Sequence, residues 1–137
     1  PIAGSTLLLT ENVDNKQGDH AATLLGVNDK GPLSLVAAPG FNPTDCAFLP
    51  DGDLLVLERG LGLLSFTMQV RRIRASEVAP NMRMQGPVIL AASGADIDNM
   101  EGIAVHPGPG GEIRITLISD DNFKDFERSL LLEFALP

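Results

Sequence analysis

One cysteine, Cys46, occurs among the 137 residues, so no disulfide can form within the chain and no multi-cysteine zinc site can be built. Tryptophan and tyrosine are absent and phenylalanine occurs six times, which removes the aromatic platform on which sugars or bases stack. Positive charge is scarce. Ten Lys and Arg stand against 18 Asp and Glu, for a net charge of −8. A nucleic-acid surface needs a basic patch to displace counterions, and anionic lipid attracts the same patch, so both partners are excluded. No apolar run reaches the ~18 residues of a membrane-inserting helix. The phosphate-loop and dinucleotide glycine patterns, the G-x-S-x-G elbow and the H-E-x-x-H zinc motif are all missing. His20 and His106 lack metal-ligand spacing and read as structural or exposed. Cys46, set among small and apolar neighbours, reads as an inert buried thiol.

Glycine and proline are plentiful instead, at 14 and 10, together well above ordinary usage. They punctuate short apolar runs: Thr6–Thr10, Ala22–Val27, Leu33–Ala38, Cys46–Leu49, Asp53–Glu58, Thr67–Ala75, Pro87–Ala91, Ile103–His106, Glu112–Ser119 and Ser129–Leu136. Runs of this length between turn residues are strands, so the chain reads as all-β with about ten strands. Only Val70–Met84, interrupted by Pro80 and Asn81, and Asp120–Arg128 carry any helical tendency. Ile113, Ile115 and Leu117 share a face, as do Leu130, Leu132, Phe134 and Leu136. Leu54–Leu57 is apolar on both faces and must therefore be covered on both, as happens where sheets stack.

An internal repeat runs through these strands. Thr44–Pro50 leads through Asp51-Gly52 into DLLVLER, and Met100–Pro107 leads through a Gly/Pro turn into EIRITLISD. The alignment sets Asp45 against Glu101, 56 positions apart. Thr6–Asn12 followed by Ala22–Val27 is a partial copy resembling Thr116–Asn122 followed by Leu130–Phe134. A period near 50 residues with about four strands suits a β-propeller blade. The expectation is a partial β-propeller of about two and a half four-stranded blades: the end of one blade in residues 1–40, a second in 41–92 and a third in 93–137. A sandwich with two similar hairpins is the alternative. The chain starts at Pro1 rather than Met, which suggests a processed chain or a fragment amounting to about half a ring. Incomplete blades expose apolar faces and strand edges, so self-association or missing N-terminal blades are expected as partners.

Acids and amides cluster at Glu11-Asn12, Asp45, Glu58-Arg59, Asp96 to Glu101 and Asp120-Asp121-Asn122. The repeat places several at equivalent strand ends, and converging oxygens suit a hard cation such as Ca²⁺. Equally, Asp and Asn bond their own backbones in turns. The candidate ligands are Asp45, Glu101 and Asp120, with Asp98, Asn99, Asp121 and Asn122 in support. Arg59, Arg71, Arg72, Arg74 and Arg83 concentrate the few positive charges. Of these, Arg59 and Arg72 are the candidates to orient a small anionic substrate through forked hydrogen bonds, against the alternative of salt bridges with the same acids.

Pro43 to Gly52 with Leu55–Arg59, then Asp98–Val105, then Ser119–Phe123 and Leu130–Leu136, in that order, resemble the phytase-like domain family, often labelled "esterase-like activity of phytase". The resemblance spans about residues 43–136. It implies a β-propeller-like domain of which this chain is the C-terminal part, and a bacterial, periplasmic or secreted setting. It also implies Ca²⁺ at the channel mouth, polarising a phosphate or carboxylate ester for hydrolysis. The alternative function is a non-catalytic propeller module that binds an unknown ligand, its acids serving as turn residues.

Overall fold

The computed structural model describes residues 4–61, 65–94, 97–123 and 129–136. Asp96 and the 124–128 part of the Asp120–Arg128 stretch lie outside the described residues. The described chain is all-β. Its strands are β1 (Thr6–Asp14), β2 (His20–Leu25), β3 (Gly31–Leu35), β4 (Phe41–Phe48), β5 (Leu54–Leu61), β6 (Phe66–Ile73), β7 (Arg83–Met84), β8 (Val88–Ser93), β9 (Met100–Pro107), β10 (Ile113–Ser119) and β11 (Leu131–Ala135). They form three sheets, in the orders β1-β2-β3-β7, β4-β5-β6-β8 and β9-β10-β11. Within each sheet, strands consecutive in sequence pair antiparallel, and the described sheets close no barrel.

The alternation along β5 explains how the sheets stack. Leu54 and Val56 join Ala22, Leu24, Leu33 and Leu35 in a core between the first and second sheets. Leu55 and Leu57 join Met68, Val70, Ile103, Ile115 and Leu117 in a core between the second and third. Leu54, Leu55, Val56 and Leu57 are all fully buried. A strand apolar on both faces has thus found a sheet on each side. The opposite pattern holds at the end of the stack, where Ile118 and Leu131 stay exposed.

The Val70–Met84 segment is no helix. β6 ends at Ile73, a single 3₁₀ turn covers Ala75–Glu77, and Asn81 takes a left-handed φ of 65°. Pro80 lacks a donor and restricts the residue before it, so the chain cannot coil on through it. It crosses to the first sheet instead, where β7 pairs parallel with β3. Val78 and Met84 drop into the first core, fastening the second sheet to the first.

Two bulges set the register at one end of the sheets. Thr44 is the extra residue between Pro43 and Asp45 on β4, and Glu101 is the extra residue between Met100 and Gly102 on β9. The structural repeat therefore pairs Thr44 with Glu101, and Asp45 with Gly102. This is one step away from the sequence alignment of Asp45 with Glu101. In the corrected register Ala47 meets Ala104 and Pro50 meets Pro107. A bulge adds one unpaired residue and turns the side chains around it, so a one-residue error reassigns which acid stands at which strand end.

Candidate functional site

The bulged strand ends converge on Arg59, near the end of β5. Its guanidinium donates to Asn99 Oδ1 at 2.5 Å, lies 3.3 Å from Glu101 Oε1, and donates to Glu11 Oε1 at 3.1 Å. Each partner arrives by a local irregularity. Glu11 lies where the β1–β2 register slips between Leu9 and Asp14. Glu101 is the β9 bulge residue, and Asn99 leads into that strand. Asn99 is buried, and its carbonyl accepts the N–H of Asp120 at 2.9 Å, which ties in the end of β10. Asn42, opposite Arg59 on β4, donates to Asn12 at 3.5 Å. One cation thus links all three sheets. Its side chain is 25% exposed, buried enough to be held in one place and open enough to meet a solute. Two hollows lie beside the cluster, one reaching its partner Glu11 and the other Arg59 itself. A cleft of about 240 Å³ runs between β1 and β4, lined by Leu7, Leu9, Glu11, Thr44, Asp45 and Cys46 among others. A hollow of about 290 Å³ is bounded by Gly40, Phe41, Asn42, Arg59 and Gly60.

Of the seven candidate ligands, Glu101 and Asn99 meet at Arg59, where a guanidinium already fills the place an ion would need. Asp45 is committed elsewhere. Its Oδ1 accepts the N–H of Cys46 and its Oδ2 the N–H of Ile103, both at 2.8 Å. Beside it, Thr44 Oγ1 donates to the Met100 carbonyl at 3.1 Å. These bonds brace β4 against β9. Asp98 accepts the N–H of Asn99 at 2.9 Å. Asp120 accepts the N–H of Asn122 at 3.0 Å in a tight Asx turn, and Asn122 and Phe123 have left-handed φ values of 48° and 58°. Asp121 accepts the N–H of Phe123 and the hydroxyl of Ser129. These bonds stabilise its charged form and hold its carboxyl below the usual range. Among the described residues no three Asp, Glu, His or Cys side chains stand close enough to hold a metal ion. Ca²⁺ takes 6–8 oxygens, and this donor set does not fit one.

Arg59 and Arg72 do not share a site. Arg72 pairs across from Leu55, whereas Arg59 pairs across from Met68. They are four positions apart in the ladder, roughly 13 Å at ~3.3 Å per residue. Arg72 serves the Asp51-Gly52 turn, with Nε 2.7 Å from Asp53 and Nη2 2.6 Å from Asp51. The Ala75 N–H and then Arg72 hold the Asp53 carboxyl below its ordinary value, and Asp53 in turn raises Arg72. Arg83 chelates Asp19 with Nε at 2.7 Å and Nη2 at 3.0 Å, which lowers the Asp19 carboxyl. Cys46 is half-buried, and loss of solvent, then the Asp45 charge, push its thiol up to about 11. His20 is buried on the face that carries Ala22 and Leu24, and half-exposed His106 bonds Thr116 at 2.7 Å.

The least expected group is Glu58, fully buried. Arg71 clasps it with Nε at 2.9 Å and Nη2 at 2.5 Å, and Gln69 donates to it at 2.6 Å. The signal lay in the alternation. Glu58 continues the Leu54–Val56 face of β5, and Gln69 and Arg71 continue the Ile73 face of β6, so the three polar groups meet across the ladder.

The family described as Phytase-like, esterase-like activity of phytase, matches residues 7–123. The chain belongs to the phytase-like family. No curated protein and no solved structure matches it. The matched range of this phytase-like chain includes every group around Arg59, from Glu11 on β1 to Asp120 at the end of β10, and also the buried Glu58–Arg71 pair.

Proposed function

We propose that this phytase-like chain carries the anion-orienting part of a site that hydrolyses phosphate or carboxylate esters, with Arg59 as the group that grips the anion. The observation that carries the reading is the Arg59 cluster itself: one partly exposed guanidinium, fed by three sheets, in a cluster with two hollows beside it. Arginine offers a planar fork matched to phosphate and carboxylate. With no anion bound, Glu11 and Glu101 neutralise that fork and hold it in place. A phosphate ester anion, or the oxyanion that develops on a carboxylate ester, replaces a carboxylate on Arg59; the displaced carboxylate takes a proton from the attacking water and returns it to the leaving alcohol oxygen. Asp45, Asp98, Asp120 and Asp121 are engaged by backbone amides, so this reading assigns the anion to arginine and not to calcium.

Turnover of p-nitrophenyl phosphate and p-nitrophenyl acetate tests the reading. Arg59→Met is expected to lower kcat/KM about 100-fold, as loss of one transition-state charge contact does. Arg72→Met is expected to leave it within about twofold, since that side chain braces a turn. Equal rates for wild type and Arg59→Met would sink it.

A second reading has its own support. Asp45, Asp98, Asp120 and Asp121 all accept nearby backbone N–H groups, as expected for acids that shape turns in a non-catalytic binding module. In that case phosphate binds at Arg59 and no ester is turned over.

A further inference from the structure

The two carboxylates on Arg59 are held in different ways. Glu101 sits in a one-residue bulge that β4 fastens on both sides. Thr44 Oγ1 donates to the Met100 carbonyl at 3.1 Å, and Asp45 accepts the Ile103 N–H at 2.8 Å. Glu11 sits in a wider irregularity. Leu9 pairs with Ala22 and Asp14 with His20, so residues 10–13 of β1 stand opposite Ala21 alone. Four residues against one make an arch, and an arch of extra residues bends its strand and re-aims the side chains on it. The Thr10 hydroxyl closes this one. It lies 2.8 Å from the Val13 carbonyl, across the arch, and 2.8 Å from the Ala21 carbonyl on β2. Its single proton is shared between the two, which ties the arch to itself and to the facing strand. The carboxylates also differ at the guanidinium. Nη1 carries Asn99 and Glu101, whereas Nη2 carries Glu11. Glu11 leaves Nη2 without stripping Nη1, and its side chain is the more exposed, 41% against 34% for Glu101.

We infer that Thr10 is a positioning residue of the Arg59 site: its hydroxyl fixes the arch that presents Glu11, and Glu11 is the carboxylate that yields Nη2 to an anion. This rests on the anion-site reading of Arg59 and names the group that the anion displaces. A carboxylate and a phosphate compete for the same guanidinium fork. Loosening the arch weakens the internal competitor, so an anion binds more tightly although Thr10 itself does not touch it. Glu101, braced by Thr44 and Asp45, stays on Nη1 and keeps the guanidinium aimed.

Two arms of ¹⁵N NMR on the Arg59 guanidinium test this, with Thr10→Val, which keeps the side-chain shape and removes the hydroxyl, and Thr10→Ser, which keeps the hydroxyl. Without added anion, Thr10→Val is expected to speed exchange between Nη1 and Nη2 about fivefold, the worth of one hydrogen bond. Thr10→Ser is expected to stay within about twofold of wild type. On titration with inorganic phosphate, Thr10→Val and Glu11→Gln are each expected to bind about fivefold more tightly, and Glu101→Gln to tighten binding less than Glu11→Gln does. In the Glu11→Gln background Thr10→Val is expected to add nothing, because its effect passes through that carboxylate. A merely structural effect of Thr10 would persist there. The inference is overturned by unchanged exchange in Thr10→Val, by Thr10→Ser behaving like Thr10→Val, by a Thr10→Val effect undiminished beside Glu11→Gln, or by Glu101→Gln tightening phosphate more than Glu11→Gln. Wild type that binds no phosphate sinks the anion-site reading and the displacement with it, and the coupling of Thr10 to Arg59 is then decided by the exchange rates alone.

Discussion

At the residue scale, strand-end carboxylates are held by groups from neighbouring sheets, Asp45 by the Ile103 N–H and Glu101 by Arg59. Composition and repeat singled out Asp45, Glu101 and Asp120 as strand-end groups. Whether a carboxylate meets a cation, a guanidinium or an amide depends on neighbours far along the chain. Asp45 meets Ile103, and Arg59 meets Glu11, Asn99 and Glu101, all through sheet stacking that local patterning does not encode. Asp45→Ala strips the acceptor from the Ile103 N–H, and is expected to cost about 1–3 kcal/mol in urea unfolding. Glu58→Gln leaves Arg71 buried without its counter-charge, and a loss of about 3–5 kcal/mol is expected, with most of it recovered in the Glu58→Leu/Arg71→Met pair. Asp19 and Asp53 give the pH dependence. Their folded carboxyls are held below the ordinary 3.8, so the folded state binds fewer protons than the unfolded state in that window. Their stabilisation is present in full above the unfolded value and disappears as pH falls through the folded one. Thermal unfolding between pH 5 and pH 2, as an approximate window, is expected to show a falling midpoint whose slope flattens in Arg72→Met and Arg83→Met.

At the element scale, the pattern of alternation was sufficient for the strands and for the stacking. Leu54–Leu57 announced two covered faces, and Ile113, Ile115 and Leu117 turned toward the second core as their spacing required. What the pattern missed were one-residue and two-residue features. The Thr44 and Glu101 bulges change no composition, yet they shift the repeat by one. β7 is two residues long, too short to carry periodicity, and its parallel pairing with β3 is fixed by burial of Met84 and Val78. The strap it forms is open to test. Met84→Ala removes a fully buried side chain and is expected to cost about 2–5 kcal/mol. Faster exchange should appear at the Ser34 and Val36 amides, which donate to Met82 and Met84 carbonyls at 3.0 Å. Unchanged exchange at both amides would show that the strap does not depend on that packing.

At the scale of the whole molecule, three successive sheets carry their first or second strands to a common end, and the bulges point polar groups into it. Stacking supplies rigidity through two apolar cores, while the irregular strand ends supply chemistry. The overall charge of −8 disfavours anions at long range, so an anion site must rely on short-range geometry. Arg59 provides it, with two carboxylates that keep the guanidinium aimed when no ligand is present. The most direct measurement is a titration of the chain with inorganic phosphate, following the Arg59 guanidinium resonances by ¹⁵N NMR, with Ca²⁺ in a parallel titration. A saturable phosphate-dependent shift of Arg59, weakened in Arg59→Lys, absent in Arg59→Met and not reproduced by Ca²⁺, is the expected result. Arg59 resonances that ignore phosphate, or carboxylates of Glu11 and Glu101 that respond to Ca²⁺ instead, would contradict the assignment of this cluster as an anion site.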